Sequence, residues 1–324
     1  MRLNLSSFLQ WRINIFLCQI LGWRIIFYYI TFLGKLYFFF NRKEKFKIQK
    51  AVQDVFSYHK HYSEITSITK DVFRGILSHY FEKFLNAFSS QSVLSNFVGF
   101  NIAGEGMSAL DQGLVKGKGV LLITGHFGGV ELIPAFLGAN NYPATIVARF
   151  SSNSLRQKSL QQASNFSVKI IDNDHTPNIM KAVFKELKEN RIVIMQCDEI
   201  DEWKPCRNHQ TFFLGKPVQL DRTISIMTKR CKAAVVFGVM HRGYHHSYKF
   251  VATSWKEMAK RFQRTTCTTI GEVVLKFMEQ YIYKFPEEWY QWKKYPALDI
   301  FAPADMKVEA PSALPLLQPS FGNI

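Results

Sequence analysis

The sequence has no run of about 20 apolar residues, so a protein that crosses the membrane several times is excluded. Acidic residues are scarce, since 25 Asp and Glu stand against 41 Lys and Arg and give a net charge of +16. Apolar residues make up 47% of the 324 residues and charged residues only 20%, which excludes a disordered chain. The composition therefore predicts a folded protein with an anionic partner: nucleic acid, a membrane surface or an acidic protein.

The cysteines lack the tight pairing of a disulfide framework or a zinc site. Their odd number, five, indicates reduced thiols in a cytoplasmic setting. Cys206 with His209, or His245 with His246, could be metal ligands, but no second pair accompanies them at zinc spacing. We interpret these residues as buried thiols and surface histidines, and we expect no metal.

The first fifty residues contain nine basic residues but a single acid, Glu44, and thirteen aromatic residues. Basic residues mixed with aromatic and aliphatic ones are typical of a helix at the lipid headgroup boundary. Zinc-finger spacing, an RNP-like strand and a helix-turn-helix signature are missing, so a membrane surface is favoured over nucleic acid. We predict a membrane anchor over residues 1–50.

The charge-free runs of this anchor, residues 13–23 and 25–34, are too short to span a bilayer. A helix that lies on the surface or is half inserted is therefore the first expectation. One strained span over residues 13–40, tolerating Arg24, is the second, and a soluble helix is the third. In either membrane case the basic residues 42–50 face the cytoplasm. A cleaved signal peptide is not expected, because charges interrupt the apolar core.

Beyond residue 51 the pattern changes from helical to alternating. Residues 51–112 have an apolar period close to 3.6 and predict helices that lead into the main domain. Strands are then predicted at 120–124, 145–148, 168–171, 192–195 and 234–240, with helices at 131–139, 153–163, 177–190 and 221–231. This alternation predicts an α/β fold with a mostly parallel central sheet and helices on both faces.

Three parts of the chain follow from these patterns: an anchor (1–50), a main domain (51–298, with a helical lead-in 51–112 and an α/β core 113–298) and a loose tail (299–324). Thr176 and Pro177 predict the start of one helix. Thr269 and Glu272 form a capping box that predicts the start of the last helix.

Polar residues follow several of the predicted strands. Ligands of an open parallel sheet bind at the carboxyl ends of its strands, so these residues are expected at one edge. Each also has a structural explanation, since an Asp at a strand end can cap the next helix. The residues are His126, Arg149, Asp172, Asp198, Glu199, His241 and Arg242.

The segment around His126 carries the clearest chemistry. Histidine can take a proton near neutral pH. Glu131 can fold back across the turn at Gly128 and Gly129 to hold one tautomer, as the Asp of a serine-protease triad does. The glycines let a substrate approach backbone N–H groups, which suit a phosphate or an oxyanion. No Ser or Cys lies beside His126, so we predict direct transfer to a substrate hydroxyl without a covalent enzyme intermediate.

The segment GVLLITGHFGGVE resembles the lipid A biosynthesis lauroyl/myristoyl acyltransferases, which belong to the lysophospholipid acyltransferase-like superfamily. VARFSSNSL, RIVIMQCDE, TFFLGKPVQL and FPEEWYQWKKYP resemble further motifs of that family in the same order, over roughly residues 8–298. The sequence departs from the family at Gly129 and Val130, where Asn-Trp is usual, at Glu199, where Gln is usual, and at Asp221, where Gly is usual. These departures bear on the substrate.

The resemblance implies transfer of a fatty acyl chain from acyl carrier protein, or less often coenzyme A, to a hydroxyl of a membrane glycolipid, with no cofactor besides the donor. It implies an enzyme at the cytoplasmic face of the cell inner membrane, and the positive charge suits an acidic carrier protein. The site residues implied are His126 as general base, Glu131 as its orienting group, Arg149 as ligand of a phosphate or the thioester carbonyl, and Asp198, Gly128 and Gly129 as supporting or substrate-binding residues.

Two alternatives stay open. One is acyl transfer to a lysophospholipid or another lipid alcohol. The other is a non-catalytic, membrane-docked lipid-binding protein that retains the fold. The length of the acyl chain depends on the side chains that close the far end of its tunnel, and the sequence does not identify them.

Overall fold

The computed structural model describes residues 5–58, 60–200, 203–262 and 269–301. Six helices come first: α1 Leu5–Leu9, α2 Arg12–Ile20, α3 Trp23–Phe40, α4 Arg42–Phe56, α5 Tyr62–Phe88 and α6 Gln91–Asn101. The apolar periodicity predicted the helices beyond residue 51. Asn41 begins α4, because its side chain accepts a hydrogen bond from the N–H of Glu44.

Helix α3 packs on the main domain through one of its faces. Ile26, Ile30 and Phe38 are buried there, and Gly34 lies directly against Leu77 of α5, where a larger residue would collide. The N-terminal helices thus share the hydrophobic core of the chain. In the described ranges, no helix combines the length and the apolar character that a membrane crossing requires.

The alternative of one helix over residues 13–40 is wrong. Leu21 and Gly22 have extended backbone angles and separate α2 from α3. The first expectation for this segment, a helix that lies on a lipid surface, stays a prediction.

A seven-stranded sheet forms the centre of the molecule. Its strands are β1 Ile102–Glu105, β2 Val120–Thr124, β3 Ala144–Ala148, β4 Lys169–Asp172, β5 Ile192–Gln196, β8 Ala234–Arg242 and β9 Tyr248–Ser254. Their order is β1-β9-β8-β2-β5-β3-β4, and every neighbouring pair is parallel except β8 and β9. Strands β6 Pro205–Phe213 and β7 Lys216–Asp221 form a separate antiparallel hairpin. The predicted α/β fold with a mostly parallel sheet is confirmed.

Helices flank this sheet and connect its strands: α7 Ser108–Val115, α8 Ile133–Ala139, α9 Asn153–Asn165, α10 Ile179–Lys188, α11 Thr223–Cys231, α12 Trp255–Phe262 and α13 Ile270–Lys284. Thr269 caps α13 as predicted, through a hydrogen bond from the N–H of Glu272. The predicted start of α10 at Thr176 is wrong, because the side chain of Asn178 accepts the hydrogen bond from Lys181 and begins the helix there.

Some elements were not predicted, namely β1, β9, α12 and the hairpin of β6 and β7. Strand β1 is short and mostly exposed, so it has no apolar run to mark it. The first part of β6 is polar in sequence. The tail expected over 299–324 lies outside the described residues from 302 onward, and so do Cys267 and the side chains of Cys206 and His209.

Candidate active site

The loop after β2 is fixed between two other parts of the fold. The N–H of Gly128 donates to the carbonyl oxygen of Glu288 and the N–H of Gly129 to that of Met240, each at 2.8 Å. Gly128 has φ +58°, and a Cβ there would collide with the Met240 carbonyl, so glycine is required. Phe127 fills the core beneath the loop. These contacts therefore fix the position of the loop that carries His126.

Asp198, two residues past the end of β5, holds the imidazole of His126. Its Oδ1 lies 2.8 Å from Nδ1 of His126, and both carboxylate oxygens lie 3.0 Å from the backbone N of the same residue. Nε1 of Trp289 donates to Oδ2 of Asp198 at 2.8 Å. Because Asp198 is fully buried, these three groups leave its carboxylate one orientation. The proton on the ring is thereby directed to Nδ1 when the histidine is neutral.

Charge pairing decides the ionisation of both residues. Burial alone would lower the pKa of His126, but the carboxylates of Asp198 and Glu199 raise it above its ordinary value. Burial alone would likewise raise the pKa of Asp198, yet His126 and the Trp289 N–H hold it below its ordinary value. Asp198 is thus ionised beside an imidazole that is more basic than an ordinary histidine.

The second ring nitrogen of His126 faces the cavity side of the site. Nε2 lies 3.2 Å from Oε2 of Glu199, and Oε1 of Glu199 accepts from Nζ of Lys294 at 2.6 Å. Tyr290 contacts the imidazole edge to face, with ring centroids 4.9 Å apart. Tyr290 itself stacks on His79 at 3.5 Å. The ring is therefore restrained from several sides.

Glu131 does not make the predicted contact with His126. Its carboxylate lies 3.7 Å from Nε2 of His79 and 3.8 Å from Nζ of Lys83. Of the described acidic residues, Asp198 and Glu199 are the ones within ion-pair distance of the His126 ring. The expectation failed because spacing along the chain cannot show that a carboxylate from β5, more distant in sequence, reaches the imidazole first.

Gly128 and Gly129 also do not have the predicted role of binding the substrate through their N–H groups. Their N–H groups donate to backbone carbonyls inside the fold, so they are not free to bind a phosphate or an oxyanion. What requires glycine is the close approach of this loop to β8 and to residues 286–289.

A cavity of about 250 Å³ opens beside His126. Polar side chains line one part of it, among them Lys83, Glu131, Arg149 and Glu199. Arg149 follows β3 and pairs with Asp174 at 2.9 Å. Much of the remaining wall is apolar and comes from β3, α8, α9 and the start of β4, including Pro134, Ala135, Ile146, Leu155, Ala163, Phe166, Val168 and Ile170. The site thus combines a base at one end with a surface suited to a hydrocarbon chain.

The other strand-end residues have structural contacts. Asp172 pairs with Arg156 and with His175. His241 lies 3.2 Å from Glu288, and Arg242 pairs with the fully buried Glu82.

Arg242 also donates to the carbonyl of Gly128 at 2.7 Å, so it helps to hold the loop of His126. Within the described ranges, no three His, Cys, Asp or Glu residues are grouped to hold a metal ion.

The model of the family "Bacterial lipid A biosynthesis acyltransferase" matches residues 2–294, which is most of the sequence. The chain belongs to this family. The resemblance carried by the sequence motifs is thereby confirmed, and this family member is an acyltransferase for lipid A-type substrates. No curated protein matches the sequence.

Several residues of this acyltransferase site were missed or not assigned a role from the sequence. Trp289, Tyr290 and Lys294 all come from the segment after α13, and each contacts His126, Asp198 or Glu199. The motif FPEEWYQWKKYP was the available signal, because it resembles a family element. Its position against the β2 loop depends on contacts across more than 150 residues of chain, which a sequence pattern does not report.

Proposed function

We propose that this family member transfers a fatty acyl chain from acyl carrier protein to a hydroxyl of a lipid A-type glycolipid, with His126 as general base. The observation that carries the proposal is the His126–Asp198 pair beside a cavity that has both polar lining residues and an apolar wall. A thioester donor brings both a hydrocarbon chain and a carbonyl to be attacked, and this cavity suits both.

In the proposed reaction, Nε2 of His126 takes the proton of the acceptor hydroxyl as its oxygen attacks the thioester carbonyl. The C–S bond then breaks, and the departing sulfur receives the proton from Nε2. Asp198 stabilises the imidazolium between these steps. Among the described residues, the groups paired with the His126 ring nitrogens are the carboxylates of Asp198 and Glu199, which supports transfer without an enzyme nucleophile.

Arg149 and Lys83 are proposed to bind anionic groups of the substrates at the polar side of the cavity. Both line the cavity wall. A guanidinium suits phosphate geometry, and an ammonium supplies a further positive charge. Glu131 lies 3.8 Å from Lys83, so its proposed role is to position that lysine.

The function is tested by incubating the purified protein with acyl carrier protein thioesters or acyl-coenzyme A and a set of acceptors. We expect transfer from the carrier protein to a lipid A precursor, detected by mass spectrometry of the product. If acyl transfer occurs only to a lysophospholipid, the proposed acceptor is wrong and a lysophospholipid is the acceptor instead. Lipid binding without transfer to any acceptor would favour a non-catalytic protein.

The apolar wall of the cavity is expected to limit the acyl chain. Ala163 lies on this wall, and Ala163→Leu adds three carbon atoms there. Each methylene lost from an apolar pocket costs about 0.8 kcal/mol, so the preferred chain should shorten by roughly two to four methylenes. Competition between donors of graded length measures the shift. The exposed Ala103→Leu on β1 is the control, and an unchanged preference in Ala163→Leu would contradict the assignment.

We propose that α2 and α3 bind the cytoplasmic face of the inner membrane. Besides the face packed on α5, these helices carry exposed apolar side chains that a soluble surface does not need. Along α3 they recur with helical spacing. They include Ile13, Phe16, Ile20, Ile25, Tyr28, Phe32, Leu36, Phe39 and Phe40. The neighbouring basic residues suit anionic lipids, among them the exposed Arg24, Lys35, Arg42 and Lys43.

Replacing two of these side chains tests the membrane face. Tyr28 and Phe32 are 71% and 62% exposed, so Tyr28→Ser with Phe32→Ser should leave the fold intact. We expect about tenfold weaker binding to anionic vesicles in a flotation assay, because two apolar groups no longer enter the lipid. Val115→Ser, at a position on α7 that is even more exposed (86%), should bind as the unaltered protein does. Equal vesicle binding by both variants would contradict the proposal that this face binds the membrane.

A further inference from the structure

The second ring nitrogen of His126, Nε2, lies beside a carboxylate in the structure. Oε2 of Glu199 lies 3.2 Å from Nε2, the atom that must accept a proton in the proposed reaction. Asp198 faces the other ring nitrogen at 2.8 Å. The two atoms are within ion-pair distance, and a carboxylate in this place favours a proton on Nε2. With a carboxylate beside each ring nitrogen, this geometry favours an imidazolium.

Lys294 limits the effect of that carboxylate. Its Nζ lies 2.6 Å from Oε1 of Glu199, so the negative charge is shared between a lysine and the histidine. Both side chains are only partly buried, at 33% exposed for Glu199 and 23% for Lys294. They therefore have room to rearrange when a substrate enters. Asp198, by contrast, is fully enclosed and held by three donors.

We propose that Glu199 and Lys294 are positioning residues that set the protonation of His126: Glu199 retains a proton on Nε2 in the free enzyme, and Lys294 weakens that hold. This inference rests on the proposed function, in which Nε2 is the base. An incoming hydroxyl has to take the place of the Glu199 carboxylate, and the Nε2 proton has to leave to water before catalysis. The pair thus decides the lowest pH at which the free enzyme is active.

Other groups around the imidazole have different effects. Tyr290, from the same segment as Lys294, contacts the ring through its aromatic system. His79, on α5, is fully buried, and its pKa lies well below the ordinary value because burial disfavours its charged form. Lys83 and Glu131 lie 3.8 Å apart and both line the same cavity. Among the described residues, Glu199 is thus the group that places a negative charge beside Nε2, and Lys294 is its counter-ion.

The sign of each substitution follows from Coulomb interactions. Glu199→Gln removes the negative charge at Nε2, so the pKa of His126 falls and the neutral base persists to lower pH. Lys294→Met removes the opposing positive charge, so the pKa of His126 rises and activity is lost at higher pH. The pKa of His126 in the double variant should lie between those of the two single variants. If the pair had a purely structural role, both single substitutions would shift the pKa of His126 in the same direction.

The experiment combines a pH profile with a titration. The profile is kcat/KM for acyl transfer by the full chain, measured from pH 5 to 9 (roughly the range in which histidine titrates). At pH 6 we expect Glu199→Gln to exceed the unaltered enzyme by at least about threefold, relative to each enzyme's own plateau, and Lys294→Met to fall below it. NMR of histidine labelled at Cε1, assigned with His126→Ala, follows the ring independently of activity.

Opposite shifts of the His126 titration midpoint in the two single variants support the inference. Unchanged midpoints, or shifts in the same direction, overturn it. An unaltered enzyme that transfers no acyl chain would refute the proposed function instead. The NMR titration would then still decide whether Glu199 and Lys294 set the charge on His126.

Discussion

His126→Ala is expected to reduce acyl transfer by about 10²- to 10⁴-fold, the range typical for loss of a general base. The acceptor hydroxyl would have to lose its proton to water, and the departing sulfur would find no proton donor at Nε2. The apolar wall of the cavity is unchanged in this variant, so binding of the acyl donor should remain close to that of the unaltered protein.

Single-turnover kinetics with a labelled acyl donor measures this loss separately from binding. A melting curve of His126→Ala controls for damage to the fold, because the side chain is buried beside Asp198. Transfer at the rate of the unaltered enzyme would contradict the assignment of His126 as the base.

Asp198→Asn is expected to produce the second large effect, a loss of roughly 10²- to 10⁴-fold. The amide has nearly the shape of the carboxylate but cannot stabilise an imidazolium. It can also present its NH₂ to Nδ1 and so leave the proton on Nε2, where the base is needed. The pKa of His126 should fall, since burial is then opposed by Glu199 without Asp198.

Glu131→Gln is the matched comparison for Asp198→Asn. Each change removes one carboxylate near the site, but Glu131 lines the cavity and contacts His79 and Lys83, whereas Asp198 is buried and holds the catalytic ring. We expect Glu131→Gln to affect substrate KM more than kcat. The double variant of His126→Ala with Asp198→Asn should be no worse than His126→Ala alone, because the two residues act as a unit. If Glu131→Gln costs more in kcat than Asp198→Asn, the assignment of the orienting carboxylate is wrong.

The local patterns of the sequence determined most of the sheet. Strand β2 was predicted at its observed bounds, and β3, β4, β5 and β8 within two residues at each end. Each contains a mostly apolar run with β-branched residues, so its pattern can be recognised without knowledge of its neighbours. Strand β9 pairs antiparallel with β8 and was not predicted, since pairing across the sheet is not a local property.

The sequence by itself determined which residue types meet at the edge of the sheet, because parallel strands bring their carboxyl ends together. His126, Arg149 and Glu199 do line one cavity there. Only the tertiary structure decided which carboxylate faces which nitrogen. Asp198 and Glu199 reach the ring from β5, and Trp289, Tyr290 and Lys294 reach it from the segment after α13. Contacts of this kind depend on the packing of distant segments within a few tenths of an ångström, which composition, periodicity and spacing do not encode.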